Sequence, residues 1–371
     1  MTSAKRIIGL TGNIATGKSV VRQMLVNHGA LGIDADIIAH RVLYPGGSAY
    51  QQIVDAFGAQ ILTQDGEIAR NKLAKIVFSS PDHLQHLENI THPAITNAIR
   101  QRIEAATLPM IVIEAIKLME SSLATLFDSL WVSHVSREEQ LSRLINIRKM
   151  DAEDARQRID AQPPQSEKLS LADVVIHTDG TFENTWRQIH TALNDTIQIN
   201  TALETLYLNI IDNWWIHPAG CFPSSQLSAF INEHLKEPYG ELAQWLAFKG
   251  VTPIVEDQTL RQLVVWESRN FTGKINRIIP APPAPDQAEI ALLAFEAHAR
   301  ANQCELLIVP DAIAATLAIT LSQQGYSQPQ NSDISYPDWQ QAVASEKAPW
   351  IKRIGKPFES TSKHFFTIEL T

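Results

Sequence analysis

The chain has 371 residues, of which 44% are hydrophobic and 19% charged, with a formal net charge of -9. That apolar fraction supports packed cores and excludes wholesale disorder, and at about 150 residues per domain the length suggests two domains or one large one. With 40 acidic against 31 basic side chains there is no global positive field to collect phosphate backbones or anionic lipid, which disfavours a general nucleic-acid binder.

The N-terminus runs from Lys5-Arg6 straight into Ile7-Ile8-Gly9-Leu10-Thr11. This piece is too short for a signal-peptide core and has no small-residue cleavage site, so it reads as a first strand. Up to about residue 195, short apolar runs alternate with stretches of helical spacing, the signature of a parallel sheet covered by helices. Five strands are predicted, at Arg6–Thr11, Ala30–Asp34, Met110–Glu114, Leu130–Val135 and Asp173–His177, each continuously apolar as strands buried on both faces are. Ser136-Arg137-Glu138-Glu139 has capping-box spacing and opens a helix, and Pro163-Pro164 closes the next.

Past residue 200, Thr201–Trp215 reads as helical, and Pro218, Gly220 and Pro223 lead into two more helices. Thr252–Glu256, Arg261–Ser268 and Lys274–Ile279 are short and partly alternating, as in an antiparallel meander. The proline-rich joint from Pro280 to Pro285 precedes the helix Gln287–Asn302, strand Leu306–Val309, helix Ala312–Gln324 and a late strand His364–Leu370. The expected division is therefore an α/β domain over 1–198 and an α+β domain over 199–371, although the joint also has a reading as an interdomain linker. The most apolar long stretch, Leu306 to Leu321, is interrupted by Pro310 and Asp311 and falls short of a spanning helix, so no membrane partner is expected. Only Cys221 and Cys304 occur, which excludes a disulfide framework and fits a reducing, cytoplasmic location.

Gly12-Asn13-Ile14-Ala15-Thr16-Gly17-Lys18-Ser19 fits G-x-x-x-x-G-K-[ST] between a predicted strand and a predicted helix. Successive backbone N–H groups of such a loop wrap a β-phosphate, and the following helix adds its positive dipole end. Lys18 then reaches the β- and γ-phosphates and Ser19 offers its hydroxyl to Mg²⁺, so ATP and Mg²⁺ are the expected cofactors. Glu114, ending the third strand, stands where such folds place an acid near the metal, or it caps the following turn. Asp34 and Asp36 lie at the end of the second strand, where open α/β sheets bind ligands. Either can serve a hydroxyl acceptor by taking or orienting its proton, and Asp34 can instead cap a helix.

Together with this loop, Ile33-Asp34-Ala35-Asp36-Ile37-Ile38-Ala39, Pro45-Gly46, Phe57-Gly58, Asp65-Gly66, His92-Pro93, Arg158-Ile159, Ala161-Gln162, Glu167-Lys168 and Ala172-Asp173 resemble the dephospho-CoA kinase family over residues 5 to about 190. The resemblance implies transfer of the ATP γ-phosphate to the ribose 3′-hydroxyl of dephospho-CoA, the last step of coenzyme A biosynthesis. Asp36 matches the family's proposed base, the phosphate-loop signature runs from Thr11 to Val20, and His92 falls in the helical region associated with the acceptor. Arg137, Arg143 and Arg148 populate the helix that in similar kinases carries a lid over ATP. On an ideal helix Arg143 and Arg148 stand about 140° apart, so both face one phosphate only if the helix ends between them. The family commonly has glycine where Asn13 and Ala15 stand, threonine at Val20, and Pro-Leu-Leu where Ile116-Lys117-Leu118 stand; Lys18, Ser19 and Asp36 are retained. Two other readings are a small-molecule P-loop kinase for nucleosides or nucleotides, and a non-catalytic ATP-binding regulatory protein whose second domain recruits a partner.

The element order from Thr252 to Leu370 is similar to the GNAT acetyltransferases, in pattern rather than in motif. In that family a Gly-rich loop holds the pyrophosphate of acetyl-CoA. Here the corresponding loop is Ala281-Pro282-Pro283-Ala284-Pro285-Asp286, whose prolines lack N–H donors and whose Asp286 repels phosphate, so no acetyl transfer is expected. CoA binding, packing and regulation stay open as roles for this domain. His217, Cys221 and His234 lack metal-ligand spacing. Trp214-Trp215, Trp245 and Trp266 read as core or interdomain packing, and Asp311 as a helix N-cap.

Overall fold

The apolar runs of the first half pair into one sheet of β1 (Arg6–Thr11), β2 (Ala30–Asp34), β3 (Met110–Glu114), β4 (Ser129–His134) and β5 (Val174–His177). The structure, a computed structural model, describes residues 5–119, 121–197, 208–211, 213–235, 241–282, 284–330, 334 and 336–354. All four pairings are parallel, in the order β2-β3-β1-β4-β5, and each strand lies within a residue of its predicted span. Parallel strands need crossovers and covered faces, which is why β3 is buried at every position and reads as an unbroken apolar run. The order reverses direction around β1, so the ligand crevice of an open sheet lies at the carboxyl ends of these strands. Register levels those ends: Glu114 lies opposite Leu10 of β1 and opposite Asp34 of β2.

The second half forms a seven-stranded sheet of β6 (Leu208–Ile211), β7 (Trp214–Ile216), β8 (Gly250–Glu256), β9 (Thr259–Arg269), β10 (Thr272–Ile279), β11 (Leu306–Val309) and β12 (Trp350–Arg353), in sequential order. The predicted meander is present, closed by two-residue turns at Asp257-Gln258 and Asn270-Phe271 with positive φ at both positions, as type I′ hairpins require. Only β10 and β11 pair in parallel, and the buried helix Pro285–Ala301 makes their crossover. The proline-rich joint thus connects two neighbouring strands of one sheet and is not an interdomain linker.

Four expectations are corrected or fall outside these residues. The helix expected over Thr201–Trp215 is, from Leu208 onward, the hairpin β6–β7, whose strands of four and three residues are too short to show alternation. Asp311 is the first residue of the helix Asp311–Gln323 rather than its cap; Pro310 holds that place. The boundary at 198/199 and the late strand His364–Leu370 lie outside the described residues. No helix among the described residues is long and apolar enough to cross a membrane.

The two halves share one core. Val21, Met24 and Leu25 on the back of the helix Lys18–Asn27 belong to the same buried cluster as Leu227, Ile231, Leu246 and Val251. At the end of that helix Asn27 is fully used: Nδ2 donates to Leu246 O (2.9 Å) and Lys249 O (2.8 Å), and Oδ1 accepts from Val251 N (2.9 Å). Next to it His28 stacks on Trp186 with ring centroids 4.0 Å apart, and burial holds its pKa down at about 3, so the ring is neutral. Asn27→Ala leaves buried backbone groups unpaired. It is expected to lower the unfolding free energy of the full chain by about 2 kcal/mol, read from the midpoint of urea denaturation.

Candidate active site

The loop between β1 and the helix Lys18–Asn27 closes on backbone positions that only glycine fills. Gly12 has φ +152°, and a Cβ there would stand 2.5 Å from Ser133 Oγ and 2.7 Å from Ser133 O. Gly17 has φ +85° with Thr178 against it. Ala15 is also left-handed, at φ +61°, where the family commonly has glycine. That conformation costs a Cβ-bearing residue about 1 kcal/mol, and burial of the methyl beside Leu144, Ala155 and Ile159 returns about as much.

The loop is tied down from beneath. Thr16 Oγ1 donates to Asn13 O (2.8 Å) and lies 2.7 Å from Ser133 Oγ, while Thr178 Oγ1 donates to Thr16 O (2.8 Å). Ile14 N donates to Gln162 Oε1 (2.7 Å), and Gln140 Nε2 donates to Ile14 O (2.8 Å). Asn13 uses the side chain that a glycine lacks: Nδ2 donates to Pro163 O (3.0 Å) and Oδ1 accepts from the buried Lys168 Nζ (3.0 Å). Thr11 donates its hydroxyl to Ile116 O (3.1 Å), and Val20 packs against the shared core. Gln162 and Lys168 were legible only as parts of the family resemblance, without a role; the fold brings them under the loop.

Three strand ends converge on the loop's open side. Glu114 is buried at the end of β3; its Oε1 accepts from Ser19 Oγ (3.0 Å) and its Oε2 from Arg22 Nε (2.7 Å). Arg22 was not singled out from the sequence, yet its place one helical turn after Ser19 puts both on one face. Lys18 Nζ donates to Gly12 O (3.0 Å) and Asn13 O (3.2 Å). Burial lowers its pKa, helped by Lys168 and Arg148 and opposed by Glu114 and Asp36. Asp34 caps the helix Ala35–Arg41, with Oδ1 accepting from Asp36 N (3.0 Å) and Ile37 N (3.1 Å). It therefore sets the helix that carries Asp36. Although exposed, Asp36 has its pKa raised, first by partial desolvation and then by the Glu114 charge, with Lys18 and His40 opposing.

The arginines separate into different roles. Arg143 donates from Nε to Glu139 Oε1 (2.7 Å) and from Nη1 to Ala15 O (3.1 Å) and Thr178 Oγ1 (3.0 Å), so it braces the loop. Arg148 is exposed and makes no side-chain hydrogen bond or ion pair among the described residues, but stands near enough to act on Lys18. The 140° separation does not arise, because Arg143–Ile147 is a π-turn in which Arg148 N donates to Arg143 O (3.1 Å). Closing a turn at five residues brings positions five apart towards one side. The helix before it opens as predicted, with Ser136 Oγ accepting from Glu139 N (3.2 Å). Arg137 pairs with Asp160 (2.6 Å) at the surface and not with the loop. His92 is exposed midway along the helix Pro81–Ala105 and makes no side-chain hydrogen bond among the described residues.

A cation over a phosphate-cradling loop, two hard oxygens side by side and a carboxylate of raised pKa suit phosphoryl transfer to a hydroxyl. The family model for dephospho-CoA kinase matches residues 6–184. The dephospho-CoA kinase of Carboxydothermus hydrogenoformans is 46% identical over 190 residues, which make up 50% of this chain and 92% of that protein. Among solved structures, a dephospho-CoA kinase from Campylobacter jejuni is 26% identical with a TM-score of 0.41, covering 53% of this chain and 99% of its own. An acetyltransferase from Streptococcus agalactiae is 13% identical with a TM-score of 0.25, covering 38% of this chain and 97% of its own.

Gly12→Ala is expected to remove ATP binding in titration calorimetry. It should also lower stability by about 1–3 kcal/mol in denaturant melts, because the new methyl meets the Ser133 backbone.

Proposed function

The chain belongs to the dephospho-CoA kinase family through its N-terminal half, and from that premise we propose that it transfers the γ-phosphate of ATP to the ribose 3′-hydroxyl of dephospho-CoA, the last step of coenzyme A biosynthesis. One observation carries the reading: Glu114 at the end of β3 holds Ser19 of the phosphate-loop helix at 3.0 Å, and its charge acts on both Lys18 and Asp36, which follow β1 and β2. The catalytic unit is residues 1–198, and 199–371 is a second domain that packs against it and performs no acetyl transfer.

The loop amides of residues 12–19, apart from that of Ile14, which Gln162 already holds, take the donor phosphates, with Lys18 as a point charge on the β- and γ-phosphates. Mg²⁺ fits beside them, since Ser19 Oγ and Glu114 Oε1 are hard oxygens 3.0 Å apart, and bound there it would neutralise charge on the bridging phosphate oxygens. Arg22 keeps Glu114 aimed by holding its other oxygen. Asp36 takes the proton of the attacking hydroxyl, and its raised pKa makes it a stronger base than an ordinary aspartate. Asp34 fixes where Asp36 stands. Arg148 spreads charge on the transferring group while Arg143 holds the loop in shape. His92 is assigned to the acceptor on the resemblance alone.

A coupled ADP-release assay on the full chain with ATP, Mg²⁺ and dephospho-CoA should show turnover. Turnover with a nucleoside or nucleotide in place of dephospho-CoA would overturn the acceptor, and ATP binding without turnover would favour a regulatory protein. Lys18→Ala should lower kcat by about 10²- to 10³-fold. The acid limb of kcat/KM should lie above the ordinary aspartate value of 3.8, because protonating Asp36 as pH falls removes the base. Asp36→Asn should abolish that limb and lower kcat by about 10²-fold or more with ATP affinity retained; near-normal turnover would remove Asp36 as the base.

A further inference from the structure

The second half touches the kinase half at a second place, away from Asn27 and on the acceptor side. Glu305 stands just before β11, buried, with a guanidinium on each oxygen: Arg41 Nη2 at 2.6 Å and Arg102 Nη2 at 3.3 Å. Arg41 is the last residue of the helix Ala35–Arg41, which carries Asp36; Arg102 lies in the last turn of the helix Pro81–Ala105, which carries His92. One carboxylate from the second half therefore joins the end of the helix of Asp36 to the end of the helix of His92.

The surroundings are built around that junction. Gln303 and Arg102 bond reciprocally, Nη1 donating to Oε1 (3.0 Å) and Nε2 donating to Arg102 O (2.8 Å). The Arg102 guanidinium lies 4.0 Å from the Phe271 ring centroid and that of Arg41 lies 3.2 Å from the Tyr336 centroid. Phe271 holds a left-handed φ of +63°, costly for a bulky side chain, and its carbonyl accepts from Glu305 N at 2.6 Å. The Glu305 backbone is held on its other side by Ile354 N donating to its carbonyl (3.1 Å). The carboxylate is thus presented from fixed backbone, and neither arginine can lose its charge to relieve its removal.

We propose that Glu305 is a positioning residue for the kinase reaction: it fixes the helix of Asp36 relative to the helix of His92 and so sets the acceptor site from the second half of the chain. Asp36 is five residues from Arg41, about 7.5 Å along a rigid helix, so a displaced Arg41 end moves the base. The phosphate loop is tied by its own set of bonds to residues 140, 143, 162, 168 and 178, so the donor side is insulated. The inference rests on the acceptor-side reading of Asp36 given above.

The test is steady-state kinetics of the full chain with both substrates varied, beside thermal melts. Glu305→Gln should raise the KM for dephospho-CoA, or lower kcat at saturating ATP, by roughly three- to thirty-fold while the KM for ATP moves less than about twofold. Glu305→Asp, which keeps the charge, should recover part of the loss. Glu296→Gln serves as the control: Glu296 is equally buried and pairs with Lys352 (2.7 Å) and Arg300 (3.8 Å), all within the second half. It should lower the melting temperature with unchanged kinetics. If Glu305→Gln does not fold, Glu305→Asp carries the same question alone, because its shorter side chain keeps the charge but cannot hold both guanidiniums, and it should raise the KM for dephospho-CoA about twofold or more. Unchanged acceptor kinetics in the folded variant, or equal losses for both substrates, overturn the positioning role. Wild-type chain that turns over no dephospho-CoA overturns the function itself, and that is seen before any variant is made.

Discussion

A phosphate loop can aim its amides only while everything behind it stays still, and in this protein the stillness comes from burial of the back of one short helix. The front of Lys18–Asn27 carries Lys18, Ser19 and Arg22 to the site; its back, through Val21, Met24 and Leu25, is packed into a core that continues into the second half. Asn27 then ties the far end of the helix to residues 246–251. Because protein interiors are close-packed, a shift at that end has nowhere to be absorbed before it reaches the loop.

The site itself follows from sheet register. Levelling Leu10, Asp34 and Glu114 at the strand ends places a loop, a helix start and an acid within reach of each other without any of them being adjacent in sequence. Each then acts on the others. Glu114 divides its two oxygens between Ser19 and Arg22, Asp34 gives its oxygen to the amide of Asp36, and Lys18 opposes the rise in the pKa of Asp36. The side chains of Ser19, Glu114, Arg22 and Asp34 are thus held in place by bonds within the fold, which preorganises this end of the sheet.

Much of this was legible in the residues. The continuously apolar strands, the G-x-x-x-x-G-K-S loop and the N-cap at Ser136 each follow from a local rule that held, whereas the N-cap expected at Asp311 is taken by Pro310. Failures came where a short or non-standard element broke the period assumed for it. The hairpin β6–β7 has strands of four and three residues, too short for alternation to outweigh its leucine, isoleucine and tryptophan content. The conflict between Arg143 and Arg148 vanished because the turn between them closes at five residues rather than four. Gln162, Lys168 and Arg22 carried no local sign of their roles, since their partners lie far away in sequence or on another strand.

The sequence alone determined the chemistry class, because a phosphate cradle and its lysine must be contiguous to work and so are written as a contiguous motif. It also determined the α/β order of the first half and the meander of the second, which depend on periodicity within single segments. Tertiary structure alone decided that the proline-rich joint sits inside one sheet, that Arg143 braces while Arg148 stays exposed, and that Glu305 meets Arg41 and Arg102. These are contacts between residues up to 264 positions apart, and no local pattern encodes which distant partner a buried charge will find.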